Sequence, residues 1–178
     1  MASAFAHAIA AIAIGKAFSL QNLWKFWLLG MVCAILPDAD AIGFKLGVPY
    51  GSFWGHRGFT HSFVFAGLLA AVVPFVFYSA VKPNQKQWWF LFGYFFLATA
   101  SHSILDAMTT GGLGVAFLSP FDDTRYFFPW RPIQVSPIGI ASFFSEKGWR
   151  VIKSEFVWVF VPSLVFIGVM YLVKRRRV

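Results

Sequence analysis

Gly55-His56-Arg57-Gly58-Phe59-Thr60-His61-Ser62 is a polar island in a very apolar chain, and it runs directly into the apolar segment from Phe63 to Val81. It holds two of the four histidines together with an arginine. The other two, His7 and His102, stand near the ends of further apolar segments, and Asp106 follows His102 four positions later. Asp38 and Asp40 close another such segment. Apolar segments of helical length with titratable groups at their ends predict an all-α, polytopic membrane helix bundle, with one metal-dependent hydrolytic site at one membrane face.

Composition agrees with a membrane. Of 178 residues, 58% are hydrophobic, 20% aromatic and 12% charged, which is more apolar surface than a soluble domain of this size buries. The length suits a single domain, because five spans and one substantial loop use nearly all of it. The single cysteine, Cys33, lies inside an apolar run and can form no internal disulfide. No basic region precedes the first apolar run, and Ala2-Ser3-Ala4 comes before that run instead of after it, so the first segment is expected to be retained.

Taken in order, Met1 to Phe18 is apolar, Ala-rich and about 27 Å long as a helix, enough for the hydrocarbon core. Leu23 to Leu36 is a shorter span, with Trp24 and Trp27 as interfacial anchors and Pro37 as its stop. Residues 37–60 read as a loop rich in Gly, Pro and Asp. Thr60 is the expected N-cap of a third helix, His61 to Val81, which Pro74 would kink. After the basic turn Lys82 to Lys86, Gln87 to Met108 forms a fourth span, stopped by Thr109-Thr110-Gly111-Gly112. Residues 113–154 read as a long, partly irregular outer loop, and Phe156 to Val173 is the last of about five spans, followed by Lys174 and three arginines.

In this arrangement the loops on the side of the C-terminus carry Lys16, Lys25, Lys82, Lys86, Lys174, Arg175, Arg176 and Arg177, and no acidic residue. The positive-inside rule makes that side cytoplasmic. The remaining basic residues and all the acidic ones fall on the opposite side and balance, so the net charge of +8 is accounted for without nucleic acid. Every histidine then lies toward the outer face, at one depth with Asp38, Asp40 and Asp106.

The chemistry follows from that convergence. His102 and Asp106 project from one helix face and can bind one ion together, although the same spacing also serves structural hydrogen-bonded pairs. Asp38 and Asp40, presented by the Pro37 turn, suit hard or borderline cations, with helix-stop acids as the plainer alternative. His56 and His61 flank Arg57, and His7 completes the histidines or is a satisfied core group. Mixed His and Asp ligation without thiolates points to zinc or manganese, and His7, Asp38, Asp40, His56, His61, His102 and Asp106 suffice for one or two ions. Such a centre activates water and clamps a phosphoryl or carbonyl oxygen, with Asp38, Asp40 or His56 accepting the proton. Arg57, Arg125 and Arg131 are the candidates for holding an anionic head group, or they snorkel at the interface. Ser62, Ser101 and Ser103 adjoin histidines, but none sits in a Gly-x-Ser-x-Gly elbow, so water is the simpler nucleophile.

The order of these motifs, His7, then Leu36-Pro37-Asp38-Ala39-Asp40, then His56 to Ser62, then His102-x-x-x-Asp106 with Thr109-Thr110-Gly111-Gly112, resembles the YdjM family of bacterial inner-membrane proteins, described as metal-dependent hydrolases. The resemblance runs to about residue 132. A more distant similarity is to zinc-dependent phospholipase C and the P1-type nucleases, which use an early His, an Asp, a later His and a His-x-x-x-Asp helix around zinc. It implies His7, Asp40, His61, His102 and Asp106 as ligands, with Asp38 and His56 as further ligands or proton carriers. No histidine follows Asp106 here, which favours one or two ions over three. The reading expected is a phosphoesterase acting on a lipid or other amphipathic phosphate ester at the outer face of the cytoplasmic membrane. A divalent-cation transporter and a non-catalytic metal-stabilised scaffold or regulator are the alternatives; transporters place their ligands near the bilayer midplane.

Overall fold

The computed structural model describes residues 1–18 and 24–176. Leu23, expected to begin the second span, and Arg177 of the basic tail lie outside the described residues. The chain is an all-helical membrane bundle: α1 (Ala4–Ala17), α2 (Trp24–Ile35), α3 (Phe63–Phe77), α4 (Lys86–Ala107), a short α5 (Ile140–Phe143), α6 (Glu146–Glu155) and α7 (Val161–Arg175). Among the described residues, three stretches are long and apolar enough to cross a membrane, Trp24–Leu46, Lys86–Ala107 and Glu146–Arg175, and α1 and α3 are shorter apolar helices beside them.

α4 is the centre, packed against α1, α2 and α3, while α7 lies against α1. Small residues let the helices approach closely: Ala11, Ala34, Ala70 and Ala98 are buried with Phe26, Leu91, Tyr94 and Phe95. The Tyr94 ring stacks on Phe26 at 4.0 Å and crosses α2 at Gly30, where an added Cβ would lie 1.8 Å from the tyrosine oxygen. That oxygen donates to the Ala11 carbonyl, so one aromatic ties α4 to both α1 and α2.

The two ends of the bundle differ in chemistry. At one, Lys16 covers the Trp27 ring, Lys25 the Tyr78 ring, and the Lys174 ammonium donates to the Lys16 carbonyl. All the site histidines gather at the other.

Several boundaries depart from the expectations. Pro37 does not stop the second span: the chain winds on as a 3₁₀ helix, Leu36–Leu46, ended by Gly47 in the left-handed conformation. A proline is tolerated at the start of a new winding, where its missing N–H leaves no partner unsatisfied. The third helix starts at Phe63, not His61, because Ser62 is the cap and accepts from the Phe65 amide at 3.0 Å. Thr60, expected to be that cap, donates instead to Asp40. α3 also stops at Phe77, four residues before Val81. The last helical stretch begins at Glu146, ten residues before Phe156, and passes through a π-helical turn, Phe156–Phe160, into α7. The outer loop is correspondingly shorter. It is irregular over residues 113–139 apart from the isolated pairings Thr109 with Ile133 and Val115 with Tyr126.

Candidate metal centre

Four helices deliver one residue set to one level. His7 lies one turn inside the start of α1, Asp38 just past the end of α2, His61 in the 3₁₀ turn Phe59–His61 ahead of α3, and His102 and Asp106 in the last turns of α4. His7, His61, His102 and Asp106 have no exposed surface, and Asp38 keeps 9%. Asp38, His61, His102 and Asp106 can offer ligand atoms within 4.8 Å of one another, a group able to hold a metal ion.

Hydrogen bonds at the far side of each ring fix which nitrogen faces inward. Nδ1 of His102 lies 2.8 Å from the Ala34 carbonyl, which can only accept, so this nitrogen carries the proton and Nε2 keeps its lone pair. Nδ1 of His61 lies 3.1 Å from the Thr60 hydroxyl, whose own proton goes to Asp40 Oδ2, and 3.2 Å from that carboxylate oxygen, so it too carries the proton. The two Nε2 atoms then confront each other at 2.9 Å. Two lone pairs at that separation require something between them, a proton or a cation. Two nitrogens bound to one tetrahedral zinc stand about 3.3 Å apart, so a small parting of the rings admits the ion.

The carboxylates close the group. Asp38 Oδ1 is 3.4 Å from His102 Nε2 and 3.6 Å from His61 Nε2, while its Oδ2 is 3.9 Å from His7 Nε2. Asp106 divides itself likewise, with Oδ2 at 3.7 Å from His61 Nε2 and Oδ1 at 3.5 Å from His7 Nε2. Among the described residues, both nitrogens of His7 and both oxygens of Asp38 are buried without a hydrogen-bond partner. Orphaned buried atoms of this kind are costly, and here three of them, His7 Nε2 and the two Asp38 oxygens, lie at the same cluster. The residues fit a bound divalent cation, and His7, stacked on His102 at 3.8 Å, is placed to join the ligands.

Asp40 and His56 form the supporting layer. Asp40 Oδ1 meets His56 Nδ1 at 2.6 Å, and Oδ2 accepts from the Thr60 hydroxyl and the Arg57 amide, with His61 Nδ1 beside it at 3.2 Å. Asp40, His56 and His61 make a second group of metal-ligand type, but its lone pairs are already engaged in these hydrogen bonds. A carboxylate that orients a ligating histidine from behind is the usual companion of a metal site.

The arginines have different environments from those expected. Arg57 is fully buried: Nε donates to Asp106 Oδ2 at 3.0 Å, Nη1 to the Gly111 carbonyl and Nη2 to the Thr109 hydroxyl at 2.8 Å each. With each of its three nitrogens engaged and no exposed surface, it anchors Asp106 and is out of reach of a head group. Its backbone is left-handed, φ 65°, an uncommon conformation that lets its amide reach Asp40. Gly112 receives the guanidinium at φ 96°, where a Cβ would lie 2.7 Å from Arg57 Nη1, so the Thr-Thr-Gly-Gly motif forms the socket of this arginine. Arg125 donates to the carbonyls of His56, Tyr50 and Ser52 and so clamps the loop over the site. Burial lowers its pKa from the usual value, but a guanidinium stays charged. Arg131 is exposed and stacks on Phe127 at 4.7 Å, away from the cluster.

Two contributors were not singled out from the sequence. The Ala2 amide donates to Asp106 Oδ1 at 2.6 Å. Glu155, 1% exposed, accepts from both the amide and the hydroxyl of Ser3 at 2.5 Å and locks the start of α1 onto the end of α6. A carboxylate at the head of an apolar run is a signal for such a lock, though not for its partner.

Comparison with known proteins agrees with this architecture. The chain is 36% identical over 178 residues to the inner membrane protein YbcI of Escherichia coli (strain K12), covering 99% of this chain and 100% of that protein. No solved structure matches it. The family model for the YdjM inner membrane protein matches residues 1–177, and the chain therefore belongs to the YdjM family of inner membrane proteins.

Proposed function

We propose that this protein is a metal-dependent hydrolase that cleaves a phosphate ester of a lipid or similar amphiphile at the outer face of the cytoplasmic membrane. The observation that carries the reading is the facing pair of Nε2 atoms on His61 and His102, 2.9 Å apart and backed by the unpartnered oxygens of Asp38. Two imidazoles and two carboxylates without a thiolate suit zinc or manganese. Asp38 and Asp106 each turn their second oxygen toward His7 Nε2, the donor set that a second ion would use.

A bound ion of this kind supplies Lewis acidity toward a phosphoryl oxygen and lowers the pKa of water. His61, His102, Asp38 and Asp106 hold it. Asp40 keeps His61 in the tautomer that presents Nε2, and Arg57 fixes the Asp106 carboxylate. Asp38, whose two oxygens have no hydrogen-bond partner among the described residues, is the residue free to receive a proton from the attacking water. His56, bound to Asp40 and 3% exposed, is placed to stiffen that network instead.

Orientation follows from charge. The lysine-rich end lies opposite the site, and the positive-inside rule puts it in the cytoplasm. The site is shallow: His7 lies about 5 Å inside the start of α1 and His102 about 8 Å inside the end of α4, at 1.5 Å per residue. Cation transporters bind near the midplane on broken helices, so this depth favours hydrolysis at the interface over transport.

The test is metal content per chain in detergent-purified protein, wild type beside His102→Ala and Asp106→Ala, followed by assay on phosphomonoesters, phosphodiesters and phospholipids. One or two equivalents in wild type, lost in both variants, with metal-dependent release of product, is the expected result. Folded wild type that takes up no ion sinks the metal site. Stoichiometric metal without turnover on any of these substrates leaves the non-catalytic scaffold.

A further inference from the structure

We infer that a bilayer phospholipid reaches the metal centre sideways, its acyl chain lying in an apolar cleft between the start of α1 and the end of α2, and its phosphate at Asp38. The chemistry after arrival rests on the hydrolase reading, whereas the binding does not.

The cleft has a volume of about 470 Å³ and is lined by Met1 and Ala4 on one side and by Val32, Ile35 and Leu36 on the other, with Asp38 at its floor. Asp38 is nine-tenths buried, has no hydrogen-bond partner for either oxygen among the described residues, and belongs to the metal-ligand group. Every other member of that group, and His7 beside it, has no exposed surface, and the two Asp38 oxygens are buried as well, so the cleft ends against the back of Asp38 and a lipid phosphate meets the ligand group when that side chain turns outward. Val32 and Leu36 are 46% and 39% exposed and belong to the apolar stretch Trp24–Leu46, so the mouth opens where lipid chains would lie.

The aqueous side is closed by comparison. His56, Arg57 and Gly58 are buried there, Arg125 bonds across the top of the loop, and the Ala116 amide ties to the Arg57 carbonyl at 3.0 Å. A soluble phosphate ester would have to desolvate along apolar walls, whereas an amphiphile leaves its chain among them. A second apolar cleft, on the opposite side of α1, is lined by Phe5, Ile9, Ile12 and Ile152. It ends at Ser3 and Glu155, which satisfy each other, and so does not lead to the metal ligands.

The experiment uses the full chain in nanodiscs doped with a phosphatidic acid that carries a photoactivatable diazirine in one acyl chain, with labelled residues mapped by mass spectrometry. Val32, Ile35 and Leu36 should label at least several-fold above Leu164 and Val165, which are 55% and 60% exposed on α7 and away from the cleft. Ala4→Trp should reduce the cleft labelling several-fold with metal content unchanged. If Ala4→Trp fails to fold, Val32→Trp, at an exposed position, blocks the same mouth and should reduce labelling at Ile35 and Leu36. Equal labelling at the cleft and on α7, or labelling indifferent to a blocking tryptophan in a folded variant, overturns the lateral route. Cleft labelling without phosphate release upholds the route and removes the hydrolase, and phosphate release without cleft labelling does the reverse.

Discussion

Nε2 of His61 faces Nε2 of His102 at 2.9 Å, although each ring has its proton on the opposite nitrogen, held by the Thr60 hydroxyl and Asp40 in one case and by the Ala34 carbonyl in the other. That opposition organises the cluster around a positive charge. His61→Ala or His102→Ala should abolish stoichiometric metal binding. Asp40→Asn, which loosens the hydrogen-bonded layer behind His61 without removing a ligand, should weaken it about 10–100-fold. Competition with a fluorescent chelator on purified protein measures both.

Arg57 is a structural cation. Arg57→Ala in the metal-free protein should destabilise by about 3–5 kcal/mol, because Asp106 is left buried beside an empty socket. Arg131→Ala, at an exposed stacking position, should stay within about 0.5 kcal/mol of wild type. Unfolding in detergent, followed by circular dichroism, distinguishes the two; equal losses would show that the guanidinium of Arg57 is not integral to the fold.

Close passage of Tyr94 over α2 gives a packing test. Gly30→Ala should cost about 1–3 kcal/mol, as overpacked interiors do, and Tyr94→Phe in the same chain should recover part of it by removing the oxygen nearest the new Cβ. Thermal melts of the single and double variants report the coupling.

The Ser3–Glu155 lock joins the first and last helical layers. Ser3→Ala leaves a buried carboxylate short of one donor and should destabilise by about 1–3 kcal/mol with metal stoichiometry unchanged. If metal is lost as well, the start of α1 positions His7 through this lock.

Orientation is open to cysteine labelling, since the native Cys33 is buried and can be replaced by serine. In intact spheroplasts a membrane-impermeant maleimide should modify Phe121→Cys, at a position 87% exposed on the site side, and should spare Lys82→Cys at the basic end until the membrane is broken. The opposite pattern reverses the topology.

Much of this was legible in the residues because membrane spans announce themselves by hydropathy and because ionisable groups beside them are scarce. His7, Asp38, His61, His102 and Asp106 could be placed at one level from span ends alone. What escaped were matters of local hydrogen bonding. Nothing in Leu36-Pro37-Asp38 says that the chain continues as a 3₁₀ helix, and Thr60 and Ser62 are equally good caps until Asp40 claims one of them. Arg57 was misread for a related reason: an arginine between two histidines looks like an anion grip, and only the arrival of Asp106, Thr109 and Gly111 from α4 and the turn after it shows that its donors are already occupied. Glu155 found its partner across nearly the whole chain, a separation no local pattern encodes.

Because the ligand group draws on α1, the end of α2, the turn before α3 and the end of α4, it does not exist until all four have been inserted in alternating directions. A nascent chain with one segment skipped or inverted would carry His102 to the wrong leaflet and present no cation-binding set at all. On the metal-site reading proposed above, loading is in that sense a record of completed insertion: it needs residue 106 in its place, while the lock at Glu155 needs the last helical stretch.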